Sequence, residues 1–323
     1  MLREVRCVRE TMTNVVLQAT GLTKRYGDLV AVNNLSLDVR EGEVFGFLGP
    51  NGAGKTTSIN MMCGLLKPDG GRVTIRGQPV TGGSADIRTR VGVCPQEIVL
   101  WKNLTCLEQL QFAGEMYDLR ACQARQRAEY LLEELDLAEK GHKLAKTLSG
   151  GMQRRLNLAL ALVHDPEIVI LDEPEAGLDP QSRVKVREYI KALAQNKTVI
   201  LTTHNMDEAD RVADRVAIID HGELLSLDTP EALKRSVGEG DVLEIALGGE
   251  CARAQAALAD LAGRAAFDTT DGTLHVRALN VVNLLPPILE KLAAAGIQPG
   301  EVRLRENSLE DVFIRLTGRR LRE

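Results

Sequence analysis

Residues 49–57 combine three glycines with a lysine and two threonines, and they fit the pattern G-x-x-x-x-G-K-[ST]. Glycines let backbone N–H groups converge on a phosphate, because no Cβ stands in the way. We expect Lys55 to reach the β- and γ-phosphates of a nucleotide and the Thr56 hydroxyl to ligate Mg²⁺. A glycine-rich turn with a surface lysine is the alternative. The predicted phosphate loop consists of Gly49, Pro50, Asn51, Gly52, Ala53, Gly54, Lys55, Thr56 and Thr57.

Two adjacent carboxylates follow a short apolar run farther along the chain. Residues 168–171 are Ile, Val, Ile and Leu, which predicts a buried parallel strand after Pro166. Asp172, at the end of this strand, can hold Mg²⁺ through water opposite Thr56. Glu173, the next residue, can orient or deprotonate an attacking water. The two carboxylates are therefore predicted to have different tasks in phosphoryl transfer.

Two further sites lie at the ends of predicted elements. His204 follows the predicted strand 198–202, from which it can bond a terminal phosphate, although a lone histidine there is more often a satisfied strand-end residue. Ser149, Gly150 and Gly151 open a predicted helix, and a helix N-terminus offers N–H donors to an anion.

In this order the motifs resemble the ATP-binding cassette (ABC) family, and the resemblance extends over residues 15–235. Its most specific part is Leu-Ser-Gly-Gly-Met-Gln at 148–153, the signature that separates this family from other P-loop NTPases. The resemblance implies ATP and Mg²⁺ as cofactors. It also implies particular roles: adenine stacking for Tyr26, a Mg²⁺ ligand and catalytic residue for Gln96, a nucleotide-site residue for Asp179, and a switch histidine for His204.

The resemblance implies partners as well. In the family, the residues that match Ser149, Gly150 and Gly151 face the γ-phosphate held by another subunit, so that two cassettes pair head to tail around two ATPs. One cassette in this chain therefore implies a second ABC ATPase subunit, and a two-fold homodimer is the simplest assembly.

The segment 307–318 and the region 96–105 resemble the daunorubicin- and multidrug-resistance exporter ATPases. This implies an ATPase that powers efflux of a drug-like, lipid or polysaccharide substrate through a separate integral membrane permease, on the inner face of the cell membrane. A soluble or importer-associated ABC ATPase is the alternative.

Trp101 can pack against the permease or within its own helical region. Glu175 departs from the family, which often has Thr there; it can modulate the site or be a harmless variation on a loop.

The elements that must position these residues alternate between strand and helix, which predicts an α/β fold with a parallel sheet. We expect a RecA-like core with a helical subdomain at about 97–165, both within the cassette 15–235. Residues 1–14 are predicted to be an N-terminal lead-in. A glycine-containing stretch at 236–240 resembles a linker, and residues 236–323 are predicted to form a small C-terminal α/β domain.

Composition excludes several other classes of protein. The net charge of −5 and the ten aromatic residues (five Phe, four Tyr, one Trp) argue against a nucleic-acid partner. The six cysteines are scattered without a CxxC pair, which argues against a zinc site or a disulfide framework. No apolar run approaches the roughly 18 residues of a membrane span, and the N-terminus does not resemble a secretory signal. We therefore expect a cytoplasmic protein with reduced thiols.

Overall fold

The computed structural model describes residues 14–80, 85–238, 240–261, 265–270, 272–279 and 281–318. The predicted lead-in lies outside the described residues except for Asn14. The chain divides into two compact units, one that ends at Leu227 and one that begins at Asp228. Among the described residues, no helix is long and apolar enough to span a membrane.

The first unit contains ten strands and seven α-helices among its described residues. The strands are β1 (Val15–Tyr26), β2 (Leu29–Arg40), β3 (Val44–Leu48), β4 (Gly70–Ile75), β5 (Gln78–Pro79), β6 (Val91–Cys94), β7 (Ile168–Asp172), β8 (Thr198–Thr203), β9 (Arg215–Asp220) and β10 (Glu223–Asp228). The helices are α1 (Lys55–Met62), α2 (Ala85–Arg90), α3 (Cys106–Met116), α4 (Ala121–Glu134), α5 (Gly150–Leu162), α6 (Pro180–Leu193) and α7 (Met206–Val212).

A six-stranded sheet in the order β10-β9-β3-β8-β7-β6 forms the centre of the first unit. The pairs β3–β8, β3–β9, β6–β7 and β7–β8 are all parallel. Every residue of β3, β7, β8 and β9 is buried, and alternate side chains enter two separate apolar clusters, as with Val169 and Ile170. The predicted parallel sheet, covered on both faces, is confirmed.

A second sheet, β2-β1-β4-β5, is antiparallel and was not predicted. The β-forming residues at 15–19 and 35–39 predict only two short strands, whereas β1 and β2 each run for 12 residues. The residues between these stretches mix polar and apolar types and pair through register shifts, with Gly21 and Asn34 both at positive φ. Such bulged pairing leaves no regular alternation in the sequence. The first strand of this hairpin ends at Tyr26, one of the predicted site residues.

The region between β6 and β7 is helical, as predicted. A capping box between Thr105 and Glu108 starts α3, and Ser149 caps α5 by accepting a hydrogen bond from the Met152 backbone. Leu110, Leu131 and Leu156 are among the side chains that form its buried core. The result is a helical layer that carries Ser149 and Gly150 at an exposed helix start.

The second unit is a four-stranded antiparallel sheet with helices. Its elements are α8 (Pro230–Val237), β11 (Asp241–Ala246), α9 (Cys251–Ala257), β12 (Ala266–Thr270), β13 (Thr273–Ala278), α10 (Leu285–Ala294), β14 (Val302–Arg305) and α11 (Leu309–Thr317), and the strand order is β12-β13-β11-β14. Leu243, Val276 and Ile288 belong to its apolar core. The boundary between the two units lies before α8, whereas the predicted boundary lies after residue 235. Helix α8 belongs to the second unit because it packs on α11, and Arg315 of α11 donates a 2.9 Å hydrogen bond to the Ser236 carbonyl.

Candidate functional site

The loop after β3 has the geometry of a phosphate cradle. Gly54 is the N-cap of α1 with φ +96°, and a Cβ on it would lie 2.5 Å from the Ala31 carbonyl oxygen. A Cβ on Gly49 would overlap the carbonyl oxygen of Ile219. Only glycine fits at these two positions, and the first turn of α1, which follows directly, offers N–H groups to an anion.

Lys55 is buried and points back into the loop. Its ammonium donates to the carbonyl oxygens of Gly49 at 2.7 Å and Pro50 at 3.1 Å. Burial lowers its pKa, while the charges of Glu173 and Asp172 act in the opposite direction. A buried ammonium of this kind is well placed to attract phosphate oxygens.

A cleft of about 390 Å³ lies beside this loop. Tyr26, at the end of β1, is 51% exposed and forms part of the cleft wall together with the hairpin residue Leu29. The cleft is lined by Tyr26, Leu29, Val30, Ala31, Pro50, Asn51, Gly52, Gly54, Lys55, Thr56, Thr57, Gln96, Glu173 and His221. Gly49 and Ala53 lie behind this surface, where Ala53 is buried and its carbonyl accepts from the Gly222 N–H at 3.0 Å.

The predicted Mg²⁺ ligands Thr56 and Asp172 lie side by side. The Thr56 hydroxyl donates to Asp172 Oδ2 at 3.3 Å, and Thr202 donates to the other carboxylate oxygen. A hydroxyl and a carboxylate are hard oxygen donors of the kind Mg²⁺ prefers, with water and phosphate oxygens completing the set. The described residues contain no group of three or more His, Cys, Asp or Glu that could hold a metal.

Glu173 is buried, and its carboxylate is fixed from three directions. Gln96 Nε2 donates to Oε2 at 3.1 Å, His204 Nδ1 lies 2.8 Å from Oε1, and Lys55 Nζ is 3.8 Å from the same oxygen. Its backbone has φ +46° and its N–H donates to the Thr202 hydroxyl at 3.0 Å. The three residues predicted to be catalytic, Glu173, His204 and Gln96, are therefore brought together.

The signature residues and Asp179 lie away from this cleft. None of Ser149, Gly150, Gly151 and Asp179 is among its lining residues in the described chain. Asp179 instead caps α6, where it accepts from the Ser182 hydroxyl at 2.6 Å and backbone N–H at 3.0 Å, and these bonds lower its pKa. Gly151 faces the same residue, since a Cβ on it would be 2.5 Å from Ser182 Oγ.

The sequence did not identify two side chains that belong to this region. Arg154 is buried and donates to the carbonyl groups of Pro95, Gln96, Asp172, Glu173 and Pro174. His221 lines the cleft directly after β9. Because β9 runs parallel to β3, its last residues reach the sheet edge where the phosphate loop begins. That adjacency is the signal by which His221 could have been found.

Glu175 forms a buried ion pair. It is 2% exposed, and Arg187 of α6 binds both of its oxygens, at 3.0 Å and 2.7 Å. Glu175 is not among the residues that line the cleft in the described part of the chain.

Comparisons with known proteins agree with this geometry. The sequence model of the ABC transporter family matches residues 32–176. The chain is 39% identical over 313 residues to a daunorubicin resistance ATP-binding protein of Streptomyces coeruleorubidus, covering 96% of this chain and 97% of that protein. It is 37% identical to a linearmycin resistance ATP-binding protein of Bacillus subtilis (95% and 100% covered), and 39% identical to a Nod factor export ATP-binding protein of Ralstonia nicotianae (95% of each).

Solved structures of cassettes are similar as well. One is a dimeric ATP-binding cassette in a post-hydrolysis state, bound to ADP and Pi, with a TM-score of 0.61 and 27% identity over 66% of this chain and 98% of that one. Another is a subunit of an ABC transporter complex of Clostridium perfringens, with a TM-score of 0.64 and 26% identity over 69% of this chain and 93% of that one. The chain therefore belongs to the ABC transporter family, as an ATP-hydrolysing subunit of the exporter branch.

Proposed function

We propose that this chain hydrolyses ATP in the cleft beside residues 49–57, with Glu173 as the group that orients and deprotonates the attacking water. The observation that carries the proposal is the fixed carboxylate of Glu173, which contacts Gln96, His204 and Lys55 at 2.8–3.8 Å. A general base must be held in one orientation within reach of its proton. His204, whose side chain is half exposed, is placed to bond the γ-phosphate and link it to Glu173.

The residues around the cleft fit the two ligands. The loop supplies converging N–H donors and Lys55, and Tyr26 offers an exposed ring on which an adenine can stack. Thr56 and Asp172 supply oxygen donors for Mg²⁺, which would neutralise charge on the phosphates. Gln96 uses its amide N–H on Glu173, which leaves its amide oxygen as a further ligand for the ion.

We further propose that two copies of the chain work beneath a separate membrane permease that carries a drug-like, lipid or polysaccharide substrate. The printed functions of the relatives, resistance and export, support this assignment. So does an apolar surface near α3: Trp101 is 45% exposed, and its ring meets that of Phe112 edge to face, with 5.4 Å between centroids. Val99 and Met116 are exposed in the same region of the chain. In this arrangement the subunit lies on the cytoplasmic face of the membrane.

Glu173→Gln tests the catalytic proposal. The variant keeps the shape of the side chain but cannot accept a proton, so we expect steady-state hydrolysis to fall by about 10²-fold or more while ATP binding is retained. Phosphate release and nucleotide binding of the purified full chain provide the two measurements. Glu188→Gln, the same substitution at an exposed position of α6, is the matched control. Near-normal turnover of Glu173→Gln would show that another group activates the water.

A further inference from the structure

Arg154, in the second turn of α5, uses every N–H of its guanidinium. The side chain is 3% exposed, and all of its acceptors are main-chain carbonyl oxygens. Nε donates to Pro174 at 3.1 Å, Nη1 to Pro95 at 2.7 Å and Gln96 at 2.8 Å, and Nη2 to Asp172 at 2.7 Å and Glu173 at 2.8 Å. Five donors in a rigid plane therefore fix five acceptors at once.

These acceptors belong to the two segments that carry the catalytic groups. Pro95 and Gln96 follow β6, and the other three carbonyls belong to the last residue of β7 and the two residues after it, Glu173 and Pro174. Glu173 has φ +46°, a conformation that a residue with a side chain adopts only when its surroundings impose it. Bonds from one guanidinium to three successive carbonyls are such a constraint.

The same residue is tied to the start of the signature helix. Arg154 is four positions after Gly150, the first residue of α5, so one helical turn joins them on the same face. Ser149 and Gly150 are exposed, whereas Arg154 is buried. A ligand that binds at the exposed start of α5 therefore contacts the same helical turn that carries the guanidinium.

We propose that Arg154 is a positioning residue that sets Gln96 and Glu173 of its own chain according to the position of α5. When the start of α5 contacts the nucleotide of a second copy, Arg154 transmits that contact to the water-activating carboxylate in its own cleft. The two ATP sites of the dimer are thereby coupled through one side chain in each copy. This inference rests on the proposed function, because it needs Glu173 as the acting group and a nucleotide at the partner-facing helix.

The first test separates turnover from binding. Arg154→Lys keeps the charge but has one nitrogen instead of three, so it cannot hold both segments. We expect kcat to fall about ten- to a hundred-fold, since small misplacements of catalytic groups have effects of this size. Nucleotide affinity should stay within about twofold, because Arg154 does not line the cleft in the described chain. If the rate of the parent chain depends cooperatively on ATP concentration, we expect Arg154→Lys to lose that cooperativity.

Arg155→Lys is the matched control, because the neighbouring guanidinium points elsewhere. It donates to the Leu135 carbonyl at 2.5 Å and lies 3.7 Å from Asp136, on the helical layer. A loss of kcat in Arg155→Lys equal to that in Arg154→Lys would overturn the proposal, since it would indicate general damage to α5. Unchanged kcat in Arg154→Lys would overturn it as well.

Mixed dimers test positioning within one chain. In each, one copy carries Glu173→Gln, so that only the other copy contributes an active carboxylate. Arg154→Lys is then placed either in the copy with the intact Glu173 or in the copy with Glu173→Gln. We expect the larger loss in the first arrangement, measured against a dimer without Arg154→Lys. Equal losses of ATPase activity in the two arrangements would refute positioning by Arg154. The Glu173→Gln homodimer tests the proposed role of Glu173 separately.

Discussion

Glu173 shows how the site tolerates a buried negative charge. A carboxylate without partners would be costly to bury. Here Lys55, Gln96 and His204 approach its two oxygens at 2.8–3.8 Å, so the charge is compensated while one orientation is imposed. Lys55 in turn donates to two carbonyl oxygens of its own loop. The ammonium therefore connects the phosphate loop with the carboxylate that we propose to be catalytic, before any nucleotide binds.

Tyr26 provides a prediction at the same scale. Because its ring is half exposed in the wall of the cleft, Tyr26→Ala should weaken ATP affinity by roughly 1–2 kcal/mol through lost stacking. Tyr26→Phe keeps the ring and is the control, with affinity close to that of the parent chain. Equilibrium binding of a fluorescent ATP analogue and of ATP in competition provides the measurement. An affinity that is the same in all three proteins would mean that adenine binds elsewhere.

Single residues were predictable when their signal was local. Lys55, Asp172 and Glu173 each lie within a short motif whose neighbours define the loop or strand. Arg154 could not be assigned in this way, because its acceptors at Pro95 and Pro174 are 59 and 20 positions away in sequence and are backbone atoms. A backbone carbonyl has no residue type, so nothing in the sequence marks it as a partner.

At the scale of elements, the pair Glu175–Arg187 joins the loop after β7 to α6. Both partners are largely buried, so removing either one leaves an uncompensated charge in the interior. We expect Glu175→Thr and Arg187→Met each to lower the free energy of unfolding by about 3 kcal/mol, and the double variant to be much less destabilised than the sum.

Denaturant unfolding of the four proteins, followed by the fluorescence of Trp101, measures this coupling. Trp101 is the single tryptophan of the chain and lies in the first unit, so its signal reports on the unit that contains the ion pair. Purely additive losses would show that the two side chains act independently. Turnover of the double variant, compared per folded molecule with the parent chain, then decides whether Glu175 modulates the site or is a variation without effect.

The elements themselves were predicted unevenly, for a physical reason. Buried parallel strands such as β7 are continuous apolar runs, and α5 has a capping serine, so both could be identified. The hairpin of β1 and β2 was predicted only in part, because register shifts interrupt its pairing and with it the alternation of buried and exposed residues. Strand β12 was missed as well; its five residues, Ala-Phe-Asp-Thr-Thr, have little hydrophobic pattern.

At the scale of the whole molecule, the exposed start of α5 lies outside the cleft beside the phosphate loop in the part of the chain that the structure describes. The cleft is lined by the hairpin, the phosphate loop, Gln96, Glu173 and His221, and the described signature residues do not contribute to it. Exposed N–H donors at a helix start are suited to bind an anion from outside. A second copy that brings its own nucleotide would supply such an anion, and the two-fold homodimer that we propose would then satisfy both copies.

This arrangement predicts complementation between two inactive variants. Lys55→Ala damages the cradle but leaves the signature of that chain intact. Gly150→Asp places a carboxylate at the start of α5, where it repels a γ-phosphate but is compatible with the helix. Gly150 is the suitable position, because a Cβ there has no atom within 4 Å, whereas one on Gly151 would press on Ser182 Oγ.

Each homodimer of these variants has two defective sites. A mixed dimer has one site with both defects and one with neither, so mixing should restore a clear part of the ATPase activity. If the signature acted on the nucleotide of its own chain, every site in the mixture would stay defective. ATPase activity of the mixture, against each variant alone and with exchange confirmed by differential tags, distinguishes the two arrangements. A dimer of the parent chain and Lys55→Ala is the control, because it shows whether one intact site can turn over while the other is empty. If that dimer is active, the absence of recovery in confirmed mixed dimers would exclude a site shared between two copies.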